Sequence, residues 1–319
     1  MMRVTLIAGG VGGAKMAEGL AGLPDVSLSI IGNVADDEEF HGLWVSPDID
    51  TMVYTLAGVI NKQQGWGLED EGRRALDTLA LLGEEHWMFL GDRDFGLHIH
   101  RTARIARGER RSIIAADIAR AFGIKTKIIL PTDDVVQTRV RTNRGWLGFQ
   151  EYFVREKCKP DVLEIKFDGI DTALPTGEAL TAIEQVDLIV IAPSNPLVSV
   201  APILGISGLR AAIAESAAAC IAVSPLIQGR VVKGPADRMM ASLGHKQDAV
   251  GVATLYADFA DLMLIDSADA KLQPQIEQLG MKVATTDILM RDTADKVRLA
   301  GEIMVIGKQM AMREMPNEA

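Results

Sequence analysis

LIAGGVGGAKMAEGL, the stretch from Leu6 to Leu20, decides the fold class. A short apolar run gives way to glycines and then to a helix-forming pattern, as in the first strand–turn–helix of a parallel α/β sheet. Small residues at such a turn let backbone N–H groups and a helix N-terminus approach an anion. Neither standard nucleotide fingerprint fits. G-x-G-x-x-G beginning at Gly10 finds Gly12 but meets Lys15 where the third glycine belongs. The acidic residue expected after the second strand is replaced by Asn33. A Walker loop needs Gly before its lysine and Ser or Thr after it, and here Ala14 and Met16 flank Lys15. An NAD-linked dehydrogenase and a P-loop NTPase are both disfavoured.

The chain has 319 residues, 48% hydrophobic and 24% charged, with a net charge of -10. That composition suits a globular protein and argues against non-specific nucleic-acid binding. Cys158 and Cys220 are widely spaced, so they read as free thiols of a cytoplasmic protein and zinc is not expected. Glycines interrupt the first apolar run before a signal peptide could form. Residues 188–209 carry no charge, but Pro193, Pro196 and Pro202 break them into a strand, a turn and a helix start, so no membrane span is expected.

Outward from the glycine turn, strands are expected at Val4–Ala8 and Val26–Ile31, with a helix from about Ala14 to Ala21. NVADDEEFHGLWVSPDIDT (33–51) reads as a long acidic loop entering a helix, with Ser46 as cap, Pro47 at the first helical position and Asp48 against the dipole. Ile49, Val53, Leu56 and Ile60 recur at helical spacing. Helices are then expected over 68–82, 93–107 and 112–122. KIIL (127–130) is a strand, and QTRVRT (137–142) with WLGFQEYFV (146–154) form a hairpin across NRG. LIVIA (188–192), CIAVS (220–224), LMLID (262–266) and MKVAT (281–285) read as further parallel strands, and MREMPNEA (312–319) as a frayed tail. The fold class expected is α/β: a Rossmann-like parallel-sheet core (1–55 and 124–319) with a small inserted α-helical subdomain (56–123) and a β-hairpin.

Four constellations carry chemistry. Asp36, Asp37, Asp48 and Asp50 place carboxylates at the mouth of the glycine loop, where Mg²⁺ can sit between one or two carboxylates and phosphate oxygens. In LGDRDFGLHIHRT (90–102), Asp94, His98 and Arg101 share one helical face, and Asp92 as a cap would free Arg93 to reach into a cleft. His98 and His100 point to different sides, which disfavours a shared metal. APSNP (192–196) puts Ser194 and Asn195 at the carboxyl end of a strand, where open α/β sheets bind ligands. Gly229, Lys233 and Gly234 repeat that logic in the loop of 224–240.

Taken in order, AGGVGGAK (8–15), NVADD (33–37), HGLWVSPDIDT (41–51), GWG (65–67), LGDRD (90–94) with His98, PTDD (131–134), FQEYFV (149–154), APSNP (192–196) and SPLIQG with KGPA (224–236) resemble the 2-phospho-L-lactate transferase family over essentially the whole chain. SPDIDT, GDRD and SNP are the specific pieces; the glycine loop alone is not. Phe95 after GDRD, and His98 and His100, fall where members of that family vary.

The resemblance implies transfer of a phosphorylated three-carbon acid (2-phospho-L-lactate, phosphoenolpyruvate or 3-phosphoglycerate) from its guanosine-diphospho-activated form. The acceptor is the terminal ribityl hydroxyl of the deazaflavin Fo, GMP is released, and the product leads to coenzyme F-420. The implied cofactor is Mg²⁺, on Asp48, Asp36 and Asp37. Asp50, Arg93, Asp94 and His98 are expected to contact Fo. Asp50, Asp48 and Arg93 form the implied catalytic set. Asp50 orients the acceptor hydroxyl and Asp48 serves the metal, or the two exchange these roles. Gly10, Gly12, Gly13, Lys15, Ser194, Asn195, Gly229 and Lys233 are expected on the donor's phosphates and guanosine. A homodimer is also suggested. The alternative is a related family of nucleotide-sugar-binding regulators that act without transfer. Those proteins follow Asp-Asp with a Gly/Ser-rich run, whereas Glu38, Glu39, Phe40 and His41 follow it here.

Overall fold

Seven short strands stack into one sheet because their residues alternate between two buried faces, the pattern of parallel strands covered on both sides. The computed structural model describes residues 1–314. The chain opens with β1 (Met2–Ala8), α1 (Gly10–Ala21) and β2 (Val26–Gly32). A hairpin of β3 (Glu38–Phe40) and β4 (Leu43–Val45) follows, and then α2 (Pro47–Leu56). Next come α3 (Arg74–Leu81), α4 (Asp92–Ala106), α5 (Arg111–Ala121) and β5 (Lys127–Ile129). β6 (Gln137–Thr142), β7 (Gly145–Gly148) and β8 (Glu164–Asp168) form a separate antiparallel sheet.

The α/β alternation then resumes with α6 (Gly177–Glu184), β9 (Leu188–Ile191), α7 (Ala201–Gly205), α8 (Leu209–Ala214) and β10 (Ala219–Val223). β11 (Leu226–Ile227) and β12 (Arg230–Val231) make a two-residue hairpin before α9 (Ala236–Ser242) and α10 (Ala249–Tyr256). β13 (Leu262–Asp266), α11 (Gln273–Glu277), β14 (Lys282–Thr286) and α12 (Thr293–Glu314) complete it.

The main sheet runs β14-β13-β10-β9-β1-β2-β5, all parallel. Leu6, Ile30, Val190, Val223 and Leu264 face one core with α1, α2, α5 and α12. Ile7, Ile31, Ile191, Ala222 and Ile265 face the other, with α6, α8, α10 and α11. Successive connections leave β1 in opposite directions, toward β2 on one side and β9 on the other. The carboxyl ends of β1 and β9 therefore flank the switch point, where open α/β sheets bind ligands.

Several boundaries differ from the sequence reading. The helix after β1 begins at Gly10, not Ala14, so the glycines form its first turn. The expected acidic loop contains the β3–β4 hairpin, turned by His41 and Gly42, both at positive φ. The stretch 146–154 is a strand only to Gly148; a single π-helical turn spans Glu151–Arg155. β8 adds a third strand to the expected hairpin. The first of the three helices is shorter than read, starting at Arg74, and Ile60 lies beyond the end of α2. Of the expected frayed tail, residues 312–314 belong to α12 and 315–319 lie outside the described residues.

Within 56–123, Ile114, Ala115, Ile118 and Ala119 of α5 join the main core. Leu76 and Phe95 of α3 and α4 instead build a separate cluster with Phe40, Val45 and Leu90. Among the described residues, no helix is long and apolar enough to cross a membrane.

Candidate active site

The switch point is closed by direct contact between two loops. Ser194, just past β9, accepts a hydrogen bond from the Gly9 amide (3.1 Å) and donates to the Gly9 carbonyl (2.7 Å). A Cβ on Gly12 would stand 2.3 Å from the Pro193 carbonyl oxygen, so only glycine admits this approach. Gly10, at φ +63, turns the chain into α1 and leaves the amides of the first turn facing a cavity of about 580 Å³.

The cavity has two chemically different sides. On the α1 side stand Gly10, Gly12 and Lys15, with Asn195 from the loop after β9 and Lys233 from the loop after β12. The Lys15 ammonium donates to the Met290 carbonyl (2.9 Å), and Lys233 donates to the carbonyl of Gln64. Burial, then the charge of Lys296, holds Lys15 below its ordinary value. Burial, then Lys15 itself, does the same to Lys233. Two cations, one of which disfavours the other's charge, suit an anion placed between them. Asn195 accepts from the Leu197 amide (2.9 Å) and so caps the turn that follows it.

The opposite side is built by α2 and α4. Pro47 occupies the first turn of α2, as expected, but the Ser46 hydroxyl donates to Asp37 (2.8 Å) instead of capping the helix. Asp48 and Asp50 both reach the cavity from this turn. Asp50 is gripped by both guanidinium nitrogens of Arg101, which also donates to the Trp44 carbonyl (3.3 Å). Burial still outweighs this partner and leaves the Asp50 carboxyl above its ordinary range. His98 accepts from Arg101 at Nδ1 (3.1 Å). Burial and that guanidinium push it down to about 3, so it is a neutral imidazole with its proton on Nε2. Tyr54 donates to Asp94 (2.7 Å), whose other oxygen accepts from the Gly91 amide at the start of α4. Phe149 and Phe153, stacked at 5.7 Å, and Trp66 also line the cavity.

Between the two sides lie Asp36 and Asp48. Asn33 donates to Asp48 (3.0 Å), and Thr138 donates to Asp36 (3.3 Å). Burial raises both carboxyls, Asp48 to about 6, and the charge of Asp48 raises Asp36 further. Mg²⁺ needs only one or two carboxylates when phosphate oxygens complete its shell, and this buried, mutually repelling pair fits that demand.

Four expected site residues do not line the cavity. Asp37 corrects the expected metal trio: it points away, accepting from Trp44 Nε1 (3.0 Å) and Ser46. Among the described residues no group of three acidic, His or Cys side chains converges on one point. Arg93 is exposed at the start of α4, its Nη1 on the Glu69 carbonyl (3.2 Å). Asp92 does not cap α4; Gly91 takes that place, and Asp92 accepts from the Ala75 amide instead. Gly13 is packed behind the loop against Ala8, and Gly229, at φ +74, forms the turn of the β11–β12 hairpin with Gln228. Conversely, Asn33, Tyr54, Thr138 and Gln150 were missed as site residues, and Arg101 was noted only for its helical face.

Asp37 carries a stability prediction. Burial pushes its carboxyl up to about 7, and one of its oxygens has no partner. The unfolded group titrates near 3.9, so between these values the folded state holds the extra proton. Its contribution is complete below about pH 4 and is lost as pH rises through 7. Asp37→Asn is therefore expected to melt several degrees above the parent at pH 8 and to converge with it near pH 4. A constant difference across that range would place the titration elsewhere.

Fold and site together define a Rossmann-like α/β protein with one ligand cavity over its switch point. The family described as 2-phospho-L-lactate transferase CofD matches residues 4–302. A 2-phospho-L-lactate transferase of Methanopyrus kandleri is 36% identical over 313 residues, covering 97% of this chain and 99% of that one. A phosphoenolpyruvate transferase of Streptomyces coelicolor is 35% identical over 316 residues, covering 97% and 99%. A crystal structure of a UPF0052 family member from Bacillus halodurans superposes with a TM-score of 0.69 at 15% identity, covering 95% and 98%, and shares the fold. The chain belongs to the 2-phospho-L-lactate transferase family and is a transferase.

Proposed function

We propose that the chain transfers a phosphorylated three-carbon acid from its guanosine-diphospho-linked form to the ribityl hydroxyl of Fo, in coenzyme F-420 biosynthesis. The observation that carries this reading is a cavity lined together by the first-turn glycines of α1, two lysines, several aromatic side chains and a carboxylate fixed by Arg101. Amides of the first turn of α1, with Lys15 and Lys233, hold the diphosphate. Asp36 and Asp48 would hold Mg²⁺, which when bound neutralises charge on the phosphate oxygens. Asp50, its oxygens set by the Arg101 fork, orients the acceptor hydroxyl and takes its proton. The hydroxyl oxygen forms a bond to the phosphorus next to the acid, the phosphoanhydride bond breaks, and GMP leaves with the electron pair. His98 and Asp94 contribute polar contacts to the acceptor, and Arg93 reaches it only by leaving the Glu69 carbonyl.

The test is incubation with Mg²⁺, Fo and each of the three activated acids, following GMP and the charged deazaflavin product. Tight nucleotide-sugar binding with no product from any donor would favour a regulator. Lys15→Ala and Lys233→Ala are each expected to weaken GDP binding by about 10-fold or more, the loss of one charge-assisted contact. Unchanged affinity in titration calorimetry would remove that lysine from the phosphate site.

A further inference from the structure

The carboxylate pair is held from behind by two different parts of the fold. Asn33 ends β2 at the position where dinucleotide-binding sheets carry an acidic ribose ligand. Here it is 1% exposed and fully engaged. Its Nδ2 donates to Asp48 Oδ2 (3.0 Å) and to the Val198 carbonyl (3.3 Å), and its Oδ1 accepts from the Ala35 amide (3.0 Å). A carboxylate there would lose both donations and add a third negative group. The other support comes from the small antiparallel sheet. The Thr138 amide donates to the Ala35 carbonyl (2.7 Å) while its hydroxyl donates to Asp36 Oδ1 (3.3 Å). Gln150 Nε2 donates to the Asp36 carbonyl (3.2 Å) and Gln137 Nε2 to the Asp37 carbonyl (3.0 Å). The loop bearing Asp36 is thus bracketed on its outer side.

We propose that Asn33 and Thr138 are positioning residues that hold Asp48 and Asp36 as a preset pair for a divalent cation. Neither lines the cavity, so neither is placed to touch substrate. Both act through the carboxylates, as outer partners of metal ligands do when they fix orientation and raise affinity. The second sheet, outside the nucleotide-binding core, then serves to hold one metal ligand in place. This inference rests on the metal reading above, and the experiment separates the two.

Mn²⁺ is titrated into the protein saturated with GDP, with GDP alone as the blank, and the free ion followed by electron paramagnetic resonance, with melting of the metal-free protein recorded alongside. Asp48→Asn is expected to abolish saturable binding. Asn33→Ala is expected to weaken it by about 10-fold or more and to lower the metal-free melting temperature as well, because the Val198 carbonyl and Ala35 amide lose their partner. Thr138→Val is expected to weaken it by a few-fold at nearly unchanged metal-free melting temperature. In turnover the metal requirement should rise while kcat at saturating metal is largely recovered, a split that a loss of folding would not produce. Absence of binding in the parent chain overturns the metal reading itself. Parent-like dissociation constants in the Asn33 and Thr138 variants, with Asp48→Asn defective, overturn the positioning role alone. Should Asn33→Ala not fold, Thr138→Val, near-isosteric and still able to donate its backbone amide, decides the question.

Discussion

Asp50→Asn is expected to lower turnover by about a hundred- to ten-thousand-fold and, separately, to destabilise the protein by about 3–5 kcal/mol. The first loss follows if Asp50 receives the acceptor proton, because an amide cannot. The second follows from Arg101, which is 5% exposed and would keep its charge with its main counter-ion gone. Only the buried ion pair reveals this second loss. The two effects can be separated. Asp50→Asn with Arg101→Met removes both charges and should recover most of the stability in urea unfolding, since a buried pair replaced by apolar volume is often tolerated. Turnover should stay lost. Recovery of activity in the double variant would take Asp50 out of the proton path, and undiminished stability in the single variant would deny the ion pair its structural weight.

Gly12→Ala is expected to be nearly as damaging, through a different cause. The added methyl would meet the Pro193 carbonyl oxygen at 2.3 Å, and neither partner is a side chain that can rotate away. The first turn of α1 and the loop after β9 must separate, at a cost of about 1–3 kcal/mol. The amides that face the cavity then shift by about a fraction of an ångström to an ångström, a displacement that costs about a hundredfold in rate where geometry matters. Donor affinity by calorimetry and kcat/KM should both fall, whereas Gly96→Ala, at an exposed position with no atom within 4 Å, should be silent. Equal behaviour of the two variants would mean that the loop contact is not what shapes the site.

The parallel sheet was legible because its strands are uninterrupted apolar runs; LIVI and LMLI leave few alternatives once Pro and Gly punctuate them. The β3–β4 hairpin was not, because three-residue strands containing Glu38 and Glu39 carry no apolar pattern and their turn uses His41, a residue with weak turn preference. The site was legible as a set of motifs and not as an orientation. Asp36 and Asp37 are neighbours at a turn closed by the Asp37 amide on the Val34 carbonyl, and their identical chemistry does not say which one faces the cavity. Only the packing of Trp44 and Ser46 shows that Asp37 is the one turned away. Arg93 reads as a cleft residue if Asp92 caps α4. With Gly91 as the cap, the helix starts one residue earlier and Arg93 falls on the outer face.

The Ser194–Gly9 stitch spans 185 positions along the chain. β1, central in the finished sheet, gains its neighbour β9 only after the ribosome has made about three fifths of the protein. At about 5–20 residues per second, that leaves the apolar edge of β1 without its partner for about 10–40 s of synthesis. During that interval β1 and β2 are a sticky half-sheet, open to chaperones or to another nascent chain. The same late closure means that a protein truncated before residue 188 would carry the whole glycine turn and all the acidic motifs, yet lack the loop after β9 that closes the cavity.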